Sequence, residues 1–241
     1  MALLRPAIPR GLHLLPHARH AHPVVVLIAM ALAAGIGNFP PSAVAIALPT
    51  LHDELNASTA ELQWGITAYS IAMSTFLIVA GRLADMFGRR RLLLIGATIF
   101  IAGSATSALA PSALALIIGM TVSGVGFATM LPPSLAIVVN AYPPDKRGLP
   151  IGIWGASTVL FQALAPMIGG VLTGEIDWSA IFWFAAVIGA IVATLTVWAV
   201  PESKDASAER EIDATGVGLL GGALVTLSLA VIQGPTWGWT S

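Results

Sequence analysis

From Leu92 to Pro144 the chain carries no Asp, Glu, Lys or Arg. At a helical rise of 1.5 Å per residue, this stretch is far too long for one passage through a hydrocarbon core that about 20 residues can span. It must turn back on itself, and Ala110-Pro111-Ser112 supplies the turn residues that break the apolar run. The stretch therefore predicts two transmembrane helices joined by a tight turn. The remainder of the chain has the same character: 56% hydrophobic and 10% charged, where soluble domains are roughly 25% charged.

Apolar runs predict spans over 24–47, 64–84, 92–110, 113–140, 149–173, 179–200 and 214–232. The expected fold is an all-α membrane protein, a polytopic bundle of about seven transmembrane helices. Its parts are a tail over 1–23, a six-helix bundle over 24–200, a linker over 201–213, and a seventh helix with the outer end over 214–241. Lys and Arg number 11. If the N-terminus is cytoplasmic, all of them fall on cytoplasmic segments: Arg5, Arg10 and Arg19 in the tail, Arg82 and Arg89–Arg91 after the second span, Lys146 and Arg147 after the fourth, Lys204 and Arg210 after the sixth. The outer loops keep Asp53, Glu54, Glu61, Glu175 and Asp177 and no basic residue. The positive-inside rule thus selects a cytoplasmic N-terminus. A missed span would invert every loop downstream of it.

Several function classes drop out. A net charge of −1 gives no basis for nucleic-acid binding. No cysteine is present, so disulfides, thiol catalysis and cysteine metal sites are excluded. His13, His17, His20 and His22 cluster loosely, but Pro16 interrupts their spacing and no carboxylate is near; no metal and no cofactor is expected. An intramembrane enzyme would need a Ser/His, Asp/Asp or metal constellation inside the spans. All five histidines lie outside them, and no carboxylate pair lies within.

Polar and turn-forming residues inside the spans mark candidate functional positions. The first span carries Gly35, Gly37, Asn38, Pro40 and Pro41, and proline within a span frees carbonyls and bends the helix. Such a bend is tolerated against protein or a water-filled cavity. Trp64 reads as an anchor at the outer interface. The fifth span is rich in small residues, and the spacings Gly148/Gly152 and Gly170/Gly174 suit close helix contact in lipid. Gln162 is a lone amide at mid-span depth, either an interhelical hydrogen bond or a cavity contact.

The stretch Gly81-Arg82-Leu83-Ala84-Asp85-Met86-Phe87-Gly88-Arg89-Arg90-Arg91 packs four arginines and an aspartate between two apolar runs. It reads as a short cytoplasmic loop in which Asp85, at a helix end, needs a cationic or helix-N-terminal partner. It resembles G-x-L-a-D-r-x-G-r-r, the loop between helices 2 and 3 of the major facilitator superfamily. Further stretches are similar to the fourteen-helix drug:proton antiporter branch of that family. They are Gln63-Trp64 with Tyr69, Ala47-Leu48-Pro49, Gly124-x-Gly126, Pro166-x-x-Gly169-Gly170, Pro201-Glu202-Ser203 and the final Gly-Trp-Thr-Ser. The chain departs from the branch where Met120 and Ser123 replace an arginine and a glutamine, where Pro40 and Ala45 replace an aspartate and an asparagine, and at Met86 and Ala165. These departures leave no charged residue in the predicted membrane interior, where ion coupling is normally marked.

The resemblance implies secondary active efflux of small, amphipathic, drug-like organic molecules from the cell membrane, coupled to protons. The chain would be the N-terminal half, and its partners the bilayer, the substrate and a C-terminal half, because alternating access needs two bundles around one site. It assigns the cytoplasmic gating role to Gly81, Asp85, Gly88, Arg89, Arg90 and Arg91, and helix packing to Gly124, Gly126, Pro166, Gly169 and Gly170. Asn38, Trp154, Phe161 and Gln162 are the candidates for lining a substrate cavity. The other reading of the same residues is a truncated, non-transporting membrane protein or an assembly subunit.

Overall fold

The computed structural model describes residues 22–204 and, beyond them, scattered residues between 216 and 238. The tail histidines 13, 17 and 20, most of the linker and most of the predicted seventh span lie outside the described residues. Within them the regular elements are helical: α1 (Pro23–Ile36), α2 (Phe39–Leu55), α3 (Thr59–Phe87), α4 (Arg89–Ala108), α5 (Ala113–Ala141), a 3₁₀ turn (Pro144–Lys146), α6 (Gly148–Glu175) and α7 (Ser179–Ala199). Among the described residues six units are long and apolar enough to cross a membrane, with α1 and α2 together forming one from Pro23 to Leu55.

The helix ends follow from local chemistry. Pro23 opens α1, where its missing N–H costs nothing. The first span breaks at Gly37 and Asn38, directly before Phe39-Pro40-Pro41. It then runs on past the predicted residue 47, through Pro49 and the polar His52-Asp53-Glu54, to Asn56. Asn56 adopts the left-handed conformation (φ 47°) that ends many helices. Ser58 and Glu61 form a reciprocal capping box that starts α3 five residues before the predicted 64. At the other end α3 runs to Phe87 and α4 begins at Arg89, so the expected loop over 81–91 is helix on both sides of a single connecting residue, Gly88. Ser112 Oγ accepts the Ala115 amide and caps α5.

α5 is the centre of the packing, set closely against α4 and α3; α4 also packs on α7, and α6 lies on α1 and α2. The α4–α5 seam is made of small residues. A Cβ on Gly103 would stand 2.4 Å from the Ser123 amide nitrogen, one on Gly119 2.6 Å from that of Ser107, and one on Gly126 2.3 Å from that of Phe100. Backbones in lipid come this close only where side chains are absent. Gly124 does the same for α3, since a Cβ there would meet the Tyr69 carbonyl oxygen at 2.5 Å.

The expectation of a fifth span packed closely through its glycines is corrected here. In the apolar window of α6 only 6% of the residues are buried, and in that of α3 17%, against 61% for α1–α2. A Cβ on Gly148, Gly152, Gly155 or Gly174 would meet nothing within 4 Å, and one on Gly170 only Ile46 at 3.9 Å. Gly169 is the glycine of α6 that carries a tight contact, 2.8 Å from the Ala43 Cβ. The spacing rule finds glycines that could admit a neighbour, and among the described residues most of those in α6 have none.

Candidate functional site

The basic end of the bundle is built around Gly88. Its φ of +115° lies in a region that L-residues rarely adopt, and its amide closes α3 on the Ala84 carbonyl at 3.0 Å. This places Asp85, in the last turn of α3, one helical turn before Arg89, the first residue of α4. Arg89 Nη2 and Nε both donate to Asp85 Oδ1, at 2.8 and 3.1 Å. The Arg89 side chain is 15% exposed and that of Asp85 41%, so the carboxylate has its cationic partner and still opens outward.

Arg90 and Arg91 do different work. The Arg90 guanidinium donates to the carbonyls of Val197 at 2.8 Å and Thr196 at 3.4 Å. Both lie in the last turn of α7, whose carbonyls carry its negative end; the Thr196 carbonyl also accepts the Val200 amide at 3.1 Å. In return, the segment after α7 caps α4. The Glu202 carboxylate accepts the Arg90 amide at 3.1 Å through Oε1 and the Arg91 amide at 3.2 Å through Oε2, and the Arg89 amide donates to the Ser203 carbonyl at 3.0 Å. A carboxylate at a helix N-terminus satisfies free amides and meets the positive end of the dipole. The Arg91 side chain is 73% exposed and reaches Glu202 only at 3.9 Å, a contact of little energy in water. Gly81 is half-buried in α3, with 3.6 Å to Pro132 from where a Cβ would be, which leaves room for a methyl group.

Glu202 was not legible as part of this site. The sequence marks it only as part of Pro201-Glu202-Ser203, a stretch similar to the antiporter branch at the start of a polar linker, with nothing to tie it to α4. Only its position beside a helix start, with a glycine opposite, gives it a role.

The four cavity candidates do not converge on one pocket. Asn38 sits at the break in the first span, its Nδ2 3.5 Å from the Ala34 carbonyl. Trp154 and Phe161 share one face of α6, seven residues apart. Trp154 Nε1 donates to Ser134 Oγ of α5 at 3.0 Å, and the Phe161 ring fills the space where a Cβ on Gly35 would stand, 2.4 Å away. These two aromatics hold α6 on the bundle. Gln162, one position further round the helix, is exposed and makes no hydrogen bond among the described residues, so the interhelical bond considered for it is not made here. Pro166 is exposed on α6 as well. An open groove of about 280 Å³ lies elsewhere, between Trp64, Ile71, Thr75 and Phe76 of α3 and Thr121 and Val125 of α5, with Val225 also lining it. None of the four candidates borders it.

At the opposite end, Trp178 Nε1 donates to Glu54 Oε2 at 2.7 Å and ties the start of α7 to the end of α2. His52 Nδ1 donates to the Ala57 carbonyl at 2.6 Å within the turn after α2. Among the described residues no group of three metal-ligating side chains comes together.

The sequence profile described as Major Facilitator Superfamily matches residues 24–240. The tetracenomycin C resistance and export protein of Streptomyces glaucescens is 33% identical over 90% of this chain and 40% of its own length. The multidrug resistance protein Stp of Mycobacterium tuberculosis (strain ATCC 25618 / H37Rv) is 37% identical over 87% of this chain and 40% of its own. The chain thus spans about two fifths of these curated relatives. Among solved structures, the inward-open xylose transporter XylE from E. coli superimposes with a TM-score of 0.64 at 16% identity, over 88% of this chain and 57% of that one. At that identity the likeness speaks for the fold alone.

Proposed function

The chain belongs to the Major Facilitator Superfamily, and from that premise we propose that it forms one bundle of a secondary transporter that exports small, amphipathic, drug-like organic molecules. The observation that carries this reading is the uneven burial of the bundle. About half or more of the apolar windows of α4 and α5 is buried, while α6 and α3 bury only 6% and 17% of theirs and leave the rest half-buried or exposed. A second bundle laid on α3 and α6 would complete the two-bundle arrangement that alternating access requires, and a C-terminal half is the partner of that shape. The apolar, aromatic groove at Trp64 and Phe76 suits an amphipathic organic molecule. The export and resistance functions named for the relatives agree with this substrate class.

In this reading the arginine end faces the cytoplasm of a cell whose plasma or inner membrane holds the protein, as the charge asymmetry favours. Asp85 serves as a latch: one of its oxygens holds Arg89, and its exposed remainder meets the second bundle when the cytoplasmic side closes. Protons are the coupling ion, and the coupling groups lie in the other bundle, because these spans carry no charge in their interior.

The test is efflux of a fluorescent amphipathic cation such as ethidium into inside-out vesicles that hold both bundles, driven by an imposed proton gradient. Uptake that collapses with the gradient, and that Asp85→Asn lowers at least several-fold, upholds the proposal. Wild-type uptake in Asp85→Asn would remove the latch role. No gradient-driven uptake by the unmutated protein would leave the non-transporting assembly subunit as the reading.

A further inference from the structure

The break in the first span leaves a specific group without its partner. In an unbroken helix the carbonyl of Gly37 would accept the amide of residue 41. Residue 41 is proline and has no amide hydrogen. The site is dry: Gly37 is buried and Tyr69 is 1% exposed, so bulk water cannot serve instead. The Tyr69 hydroxyl of α3 donates to the Gly37 carbonyl. Two glycine contacts fix the geometry. Gly124 of α5 lets the backbone at Tyr69 approach, and the Phe127 ring takes the space that a Cβ on Gly37 would need, 1.9 Å away. Both halves of the span pack on α6, and beyond it they diverge, α1 packing on α7 and α5 and α2 on α3.

We propose that Tyr69 is a positioning residue that stands in for the amide Pro41 lacks, fastening the joint in the first span to α3 and holding α1 and α2 at one angle. The fastening is reversible by loss of a single hydrogen bond. With it made, the joint is tied to α3; with it broken, the angle between α1 and α2 is held only by their shared packing on α6. This goes beyond the transport reading and does not depend on it, since it concerns a joint within the bundle whatever crosses the membrane.

Removing the hydroxyl and restoring the amide are separate operations, so the idea has a direct test. Hydrogen exchange is followed by mass spectrometry in the unmutated protein, Tyr69→Phe, Pro41→Ala and the double variant, all in lipid nanodiscs. Tyr69→Phe is expected to speed exchange across residues 37–45 about tenfold, with α4 and α7 unchanged. Pro41→Ala supplies an intrahelical donor to Gly37. The double variant should therefore exchange within about twofold of Pro41→Ala alone. A double variant as fast as Tyr69→Phe, or a Tyr69→Phe protein that exchanges like the unmutated one, overturns the proposal. Should Tyr69→Phe not be recovered folded, the double variant decides: folded, it upholds the substitution of hydroxyl for amide; unfolded, it overturns it.

Discussion

A Cβ on Gly88 would lie 2.6 Å from Oε1 of Glu202, so the turn glycine and the glutamate after α7 share one small volume. Replacing Gly88 with Ala therefore meets two penalties at once, a backbone at φ +115° and a collision with the cap of α4. We expect Gly88→Ala to lower thermal stability in nanodiscs by about 1–3 kcal/mol. Adding Glu202→Ala should relieve the collision and leave the backbone strain. Equal melting temperatures for Gly88→Ala and the unmutated protein would show that the turn can be made another way.

Glu202 caps a helix that is distant from it in sequence, and its loss has a readout beyond stability. Glu202→Ala is expected to cost about 1 kcal/mol, as N-cap removal commonly does, and to release the segment that begins at Pro201. The chain has no cysteine, so a single Ser203→Cys reports on that segment without background. Its reaction with a soluble maleimide should be several-fold faster when Glu202 is Ala. An unchanged rate would mean that the Arg89–Ser203 backbone bond alone holds the segment.

Glycines with and without neighbours should answer differently to the same substitution. Gly126→Val forces a side chain into the backbone of Phe100 and should cost several kcal/mol or prevent folding, as overpacking does. Gly155→Val points into open space and should leave the melting temperature of the bundle within about 2 °C. If a second bundle covers α6, Gly155→Val should nonetheless weaken its capture in a pull-down of the two halves. Retained capture would place the second bundle elsewhere.

The Trp178–Glu54 bond joins the ends of α2 and α7 furthest from the arginines. Glu54→Ala and Trp178→Phe should each cost about 1 kcal/mol, and the double variant no more than the larger single loss, because both remove one interaction. Fully additive losses would show that the two side chains act separately.

The sequence was informative wherever the cause is local. The apolar runs gave the six spans of the described bundle in order, because a bilayer forces length and composition on each of them. The stretch from Gly81 to Arg91 marked the basic end, although it reads as a loop and folds as two helices around Gly88. The capping box at Ser58 and Glu61 was there to be read and would have placed the start of α3. What stayed hidden depends on partners remote in the chain. The resemblance marked Gly126 for packing, but nothing local distinguishes Gly119, pressed on Ser107, from Gly155, which faces open space. Nothing local sends Glu202 to α4, Trp154 to Ser134 or Phe161 to Gly35.

The α4–α5 seam has a mechanical consequence. Where backbone meets backbone at Gly103, Gly119 and Gly126, little side-chain volume remains that could respond to a ligand by changing rotamer. Such packing favours movement of the two helices together, as a stiff plate. Compliance in the bundle must then be found at its other joints: the proline break in the first span, the thinly seated α6, and the single residue that hinges α3 onto the plate's edge.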